Sequence, residues 1–131
     1  MTRRLFVYGT LRKDAKRSRH HLLGPDAHLV GRARTRGRLH DLGEYPGLVP
    51  CGDRDAWVYG EVYELEDPDA ALARLDDYEG CSPQDPEPHE FEREKLDAEL
   101  ETGEKTLTWV YVYKGSIEGR PELTSGDFSE A

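Results

Sequence analysis

Glu79 is a carboxylate in a position where a charge is costly. It closes the run Pro68-Asp69-Ala70-Ala71-Leu72-Ala73-Arg74-Leu75-Asp76-Asp77-Tyr78-Glu79, in which Ala70, Leu72, Leu75 and Tyr78 recur at helical spacing. Glu79 follows Leu75 by four residues and Leu72 by seven, which puts it on the apolar face. It also stands at the helix C-terminus, whose partial negative charge opposes an anion. Burial and that dipole both raise a carboxyl pKa. A carboxyl poised near neutrality can take a proton in one step and return it in the next. The plain alternative, a solvent-facing glutamate in a last turn, is the commoner case on position alone. Glu44, in a Gly/Pro-punctuated loop, and Glu61, in a strand, are the competing acids. Glu44 reads as solvent-exposed, and Glu61 as a strand-face acid paired with an arginine.

A second feature is Leu5-Phe6-Val7-Tyr8-Gly9-Thr10-Leu11-Arg12, a β-type run that enters a glycine turn. Gly9 lets the backbone approach a ligand or take positive φ, and the amides that follow can point at an anion. Arg12 either adds charge there or is solvated. Ser/His/Asp catalysis has no support, since no G-x-S-x-G occurs and His20, His21, His28, His40 and His89 lie in polar contexts. Cys51 and Cys81 form neither a disulfide framework nor a zinc-type spacing. They read as two small, buried or half-buried thiols.

The elements that must position these groups follow from periodicity. Strands are expected over 4–8, 28–40, 56–65, 91–100 and 107–113, with Gly60 as a bulge or close contact. Asp67 as N-cap, Pro68 at the first position and Gly80 past the end frame the helix. A shorter helix is expected over Asp14 to Leu23, loops over 42–49 and 82–90, and an irregular tail from Lys114. In Leu107-Thr108-Trp109-Val110-Tyr111-Val112-Tyr113 both parities are apolar or aromatic, so this strand is buried on both faces or lies in a closed sheet. Many strands with one good helix predict an α+β domain with a mixed, twisted β-barrel-like core and a few surface helices.

The chain of 131 residues fits one domain, residues 1–131, and needs no metal or disulfide staple. No apolar run reaches membrane-spanning length and no signal peptide is recognisable, so a soluble, cytoplasmic protein is expected. The net charge of −9 is segregated, with eleven Lys/Arg against two Asp/Glu in residues 1–40 and seven against twenty-five in the remainder. The basic part invites a nucleic-acid reading. The preferred reading is that Arg32, Arg34, Arg36 and Arg38 alternate along a solvated strand face, because no aromatic interleaving accompanies them in the sequence. The acidic remainder bears on solubility.

Several segments together resemble the γ-glutamylcyclotransferase-like superfamily, which includes the AIG2-like proteins and the γ-glutamylamine cyclotransferases. Besides Tyr8-Gly9-Thr10-Leu11, they are Tyr45-Pro46-Gly47-Leu48, Gly60-Glu61-Val62-Tyr63, Asp76-Asp77-Tyr78-Glu79-Gly80, Trp109-Val110-Tyr111-Val112-Tyr113 and Ser125-Gly126-Asp127-Phe128. The resemblance runs from residue 5 to about 128 in the family's order. It implies that Glu79 is the catalytic acid/base and that Tyr8, Gly9, Thr10 and Leu11 hold the substrate with Tyr45 and Tyr111. For Tyr8 and Tyr113, core packing competes with a place in the cavity wall.

The implied reaction releases 5-oxoproline and an amine from a small-molecule γ-glutamyl substrate, by attack of the substrate's own α-amine. It needs no metal or cofactor. Neither a nucleic acid nor a membrane is an expected partner, and the chain is expected to be a monomer or weak homodimer. The alternatives are a non-enzymatic small-molecule-binding member of the same fold and, resting only on the basic segment, an RNA-binding barrel. The sequence departs from the family pattern in its acidic, proline-rich Ser82 to Glu90 stretch and in Phe91-Glu92-Arg93, where Tyr-x-Arg is usual. Any hydrogen bond from that tyrosine is lost or moved.

Overall fold

A computed structural model describes residues 2–8, 27–43, 45–52 and 56–127. Its strands are β1 (Arg4–Val7), β2 (Ala27–Asp41), β3 (Pro46–Pro50), β4 (Trp57–Leu65), β5 (Phe91–Leu100) and β6 (Lys105–Tyr113), and the one helix among these residues is α1 (Pro68–Glu79). The strand order is β3-β2-β4-β1-β6-β5, and β5 returns to β2 through Ala33↔Leu100 and Arg34↔Glu99. Five strands thus close a barrel and β3 extends it. The only parallel pair among them is β1–β6, at Leu5↔Trp109, so the barrel is mixed. This is the α+β barrel that the strand pattern predicts.

The long strand β2 makes closure possible by serving three partners. Ala27 to Arg36 pair with β4, Ala33 and Arg34 also face β5, and Gly37 to Asp41 pair with β3. A bulge between Leu29 and Gly31 shifts the β2–β4 register and bends the strand. The bulge is therefore in β2. Gly60 is the close contact: a Cβ there would lie 2.1 Å from the Val7 carbonyl oxygen.

Alternation divides the core in two. Leu5, Val7, Tyr63, Leu65, Phe91, Tyr111 and Tyr113 pack with Ala71, Leu72 and Leu75 of α1. On the other face Phe6, Tyr8, Val58, Val62, Val110 and Val112 form a second cluster. β6 contributes to both, as its two apolar parities predict. The buried stripe of α1 is Ala71, Leu72 and Leu75, whereas Ala70 and Tyr78 are exposed, which corrects the expected stripe. The helix packs sideways by about one position, and Glu79, four residues past Leu75, stays on the packed side. Asp67 caps α1 by accepting from the Ala70 N–H at 3.2 Å, and Gly80 ends it in the left-handed region at φ 74°.

Two further expectations change. Tyr45-Pro46-Gly47-Leu48 lies at the start of a strand, because Pro46 to Pro50 pair with β2 from Asp41 back to Gly37. Both prolines stand at the ends of this outermost strand, where a missing N–H is tolerated. Gly47 is needed there, since a Cβ would meet Tyr113 at 2.8 Å. The tail is irregular but is stitched to the barrel, with the Leu123 N–H donating to Leu39 at 2.7 Å and the Tyr59 N–H to Gly126 at 2.8 Å.

The arginine row faces outward, and β4 does bring an aromatic to it: Trp57 lies under Arg34 at 3.8 Å and Arg36 at 4.5 Å. Glu99 pairs with Arg34 at 2.8 Å and Glu122 with Arg38 at 3.3 Å, so acids offset the row's charge. The expected helix over Asp14 to Leu23 lies outside the described residues. No helix among the described residues is long and apolar enough to cross a membrane.

The close β1–β4 approach at Gly60 gives a direct test. Gly60→Ala forces β1 away from β4 and is expected to cost about 3 kcal/mol, read as a lower urea midpoint. Unchanged stability would mean that β1 is not seated as described.

Candidate active site

The site is built at the C-terminal end of α1, where the helix meets the ends of β1, β5 and β6. After Leu75 the helix contributes no further buried apolar side chain, and its last turn is held by polar contacts. Asp76 receives a two-pronged ion pair from Arg93 on β5, Nε to Oδ1 at 2.8 Å and Nη2 to Oδ2 at 3.0 Å. The Tyr111 hydroxyl on β6 donates to the same Oδ1 at 2.6 Å. Past Glu79 the chain turns on Gly80, and the Cys81 N–H donates back to the Asp76 carbonyl at 2.9 Å.

Tyr8 leaves β1 as a buried ring. Its hydroxyl donates to the Tyr111 carbonyl at 2.5 Å and accepts from the Leu48 N–H at 3.2 Å. Three strands are thereby joined at one phenol. Both the phenol and the Tyr111 hydroxyl titrate well above their usual range, chiefly through burial, with the Glu79 charge adding at Tyr8 and the Asp76 hydrogen bond at Tyr111. They are hydrogen-bonding groups and not proton shuttles at neutral pH.

Glu79 itself is half-buried, and its carboxyl is raised to about 7, first by desolvation and then by the Glu90 charge. Its own charge is felt at Tyr8, Tyr45 and Cys81. Glu90 accepts from the Tyr45 hydroxyl at 2.7 Å, and burial with that bond pushes Tyr45 to about 12. The Tyr45 ring lies 5.9 Å from Phe91, which meets Tyr113 edge-on at 5.5 Å. Phe91 thus serves as an aromatic wall. The Cys81 thiol is pushed up to about 12 by burial and Asp76, so it stays protonated.

The 82–90 loop braces itself. Ser82 donates to Asp85 from both its N–H and its hydroxyl, at 2.9 and 2.8 Å, and His89 Nδ1 lies 2.8 Å from Glu92 Oε1.

Of the residues singled out in the sequence, Glu79, Tyr8, Tyr45 and Tyr111 come together here. Gly9, Thr10 and Leu11 lie outside the described residues, as do Arg12 and the competing acid Glu44. Glu61 is buried on β4, opposite Arg32 of β2, and accepts from the Tyr63 hydroxyl at 3.3 Å. Asp76 and Glu90 were not anticipated as parts of the site. Asp76 is three residues before Glu79 and so shares its turn, which was a usable signal; Glu90 looked like one loop acid among several. Among the described residues no group of three His, Cys, Asp or Glu side chains could hold a metal ion.

The family model "Gamma-glutamyl cyclotransferase, AIG2-like" matches residues 5–130. The chain belongs to this family. It is 32% identical over 126 residues to the gamma-glutamylcyclotransferase family protein YtfP of Escherichia coli K12, covering 95% of each chain. It is 37% identical over 108 residues to the gamma-glutamylaminecyclotransferase of Bos taurus, covering 74% of this chain and 56% of that one. The crystal structure of YkqA from Bacillus subtilis superposes with a TM-score of 0.73 at 29% identity, over 99% of this chain but only 40% of that one.

The raised carboxyl makes stability depend on pH. Below about 4.5 Glu79 is protonated folded or unfolded; as pH rises towards about 7 the unfolded chain loses the proton first, so folding loses stability across that window. At about 1.4 kcal/mol per pKa unit the loss is at most about 3 to 4 kcal/mol. Urea unfolding at pH 4.5 and 8 is expected to show this loss shrink in Glu79→Gln, and shrink partly in Glu90→Gln. A Glu79→Gln profile parallel to the wild type would show that the carboxyl is not raised.

Proposed function

We propose that this protein cyclises γ-glutamyl amines or amides to 5-oxoproline with release of the amine, using Glu79 as general acid/base. Family membership supports activity of the γ-glutamylcyclotransferase type, and the bovine relative's name supports an amine as leaving group. The observation that carries the reading is a half-buried carboxyl raised to about 7 beside Tyr8 and Tyr45. The family relation does not favour the non-enzymatic alternative.

Nucleophile and electrophile share one substrate molecule, so the protein's task is to fold that molecule and move protons. The α-amine is mostly ammonium at neutral pH. Ionised Glu79 takes one proton from it, and the freed nitrogen attacks the γ-carbonyl carbon to form the ring C–N bond. Protonated Glu79 then gives its proton to the departing nitrogen as the original amide C–N bond breaks, and the second proton that the attacking nitrogen must lose passes through the freed carboxylate to the released amine, which leaves as ammonium. The carboxylate is regenerated, and no metal or cofactor is required by this balance. A group with a pKa near the working pH suits both transfers. In this scheme the amides of Gly9, Thr10 and Leu11 hold the α-carboxylate or the oxyanion that forms at the γ-carbonyl. Tyr8 shapes the cavity with its ring, its hydroxyl being committed to Tyr111 and Leu48. Tyr45 borders the mouth next to Glu90.

The test is to incubate the protein with γ-glutamyl amines, γ-glutamyl amino acids and γ-glutamyl-lysine isopeptide and to assay 5-oxoproline. At least one class should be turned over, with kcat rising towards a midpoint near pH 7, where Glu79 ionises. Glu79→Gln should lose activity by about 10²-fold or more while keeping its circular-dichroism spectrum. No 5-oxoproline from any class would favour the small-molecule-binding reading.

A further inference from the structure

We infer that Asp76, Arg93 and Tyr111 act together as positioning residues that fix the last turn of α1, and with it Glu79, against the substrate cavity. This rests on the cyclisation reading for its functional meaning, though its geometry stands apart from it. Arg93 and Tyr111 are direct cross-strand partners on β5 and β6. The barrel register therefore places a guanidinium and a phenol side by side, both aimed at one carboxylate on α1.

Asp76 takes three hydrogen bonds from this pair, at 2.8, 3.0 and 2.6 Å. Its carbonyl also accepts from Cys81, so contacts of Asp76 bracket Glu79 from both sides in sequence. The apolar packing of α1 stops at Leu75, and Asp77 and Tyr78 are exposed. A helix end without buried apolar contacts frays readily. The ion pair is what the described residues offer in place of apolar packing.

The clamp is rigid at its base. The Arg93 guanidinium lies over the Trp109 ring at 4.3 Å, which limits its rotation. The Tyr111 carbonyl receives the Tyr8 hydroxyl. One residue therefore links the end of α1 to the phenol that feels the Glu79 charge, and displacement at either would reach the other. The fork geometry also explains why arginine is required: a lysine keeps the charge but supplies no planar pair of donors.

Two charge-preserving variants test this, Arg93→Lys and the milder Tyr111→Phe. The first readout is the Glu79 carboxyl titration by carbon NMR, in the full chain without substrate. With its turn released, Glu79 should gain water and its midpoint should fall by about half a unit or more in either variant. The second readout is kinetic, where kcat should fall about tenfold or more with KM little changed, since loose placement of a catalytic group mainly harms the chemical step. A purely structural clamp would lower thermal stability and leave the midpoint where it was. An unchanged midpoint in a folded Tyr111→Phe protein overturns the inference. If the wild type turns over no γ-glutamyl compound, the cyclisation reading fails while the titration still decides the positioning role.

Discussion

Taking the Glu79 carboxylate partly out of water costs free energy, and much of the described structure around the site offsets or exploits that cost. The carboxyl is kept near neutrality by desolvation and by the facing charge of Glu90. No basic side chain stands in the last turn of α1 to neutralise it. Arg93 of β5 is paired with Asp76. Two acids three residues apart thus have opposite environments: Asp76 has a dedicated cation and a phenol donor, whereas Glu79 has neither among the contacts described. Divergent surroundings of this kind separate a structural carboxylate from a chemical one.

The barrel supplies the accuracy. Because β5 and β6 pair in one register from Phe91↔Tyr113 to Glu99↔Lys105, Arg93 and Tyr111 cannot drift apart. β2 closes the cylinder by pairing with β4 and β5, and carries β3 on its far end. The Tyr8 hydroxyl then ties the end of β1 to β6 and β3. A helix alone would present Glu79 on a fraying end; attached to a closed sheet, the same turn becomes a fixed wall. The loop from Ser82 to Glu90 is tied to the start of β3 by the Tyr45–Glu90 hydrogen bond.

Much of this was legible in the sequence for identifiable reasons. The α1 boundaries followed from Asp67, Pro68 and Gly80, which act locally. β6 announced its burial because both parities are apolar. Glu79 was visible as an acid on a packed face. The misses were tertiary. β3 looked like a loop because Gly43, Pro46 and Gly47 suggest one, and only the pairing with β2 and the closeness of Tyr113 to Gly47 make it a strand. Trp57 came to the arginine row from another strand, so its interleaving had no sequence signature. Asp76 and Arg93 are seventeen residues apart, and nothing local marks them as a pair.

The central claim is that a substrate amine, and not water, attacks the γ-carbonyl under control of Glu79. The most direct measurement uses a γ-glutamyl amine labelled with ¹⁵N at the α-amine and follows its products by mass spectrometry. The account predicts labelled 5-oxoproline in one-to-one yield with the released amine, and no glutamate. Labelled glutamate as the product would mean hydrolysis by water and would contradict it.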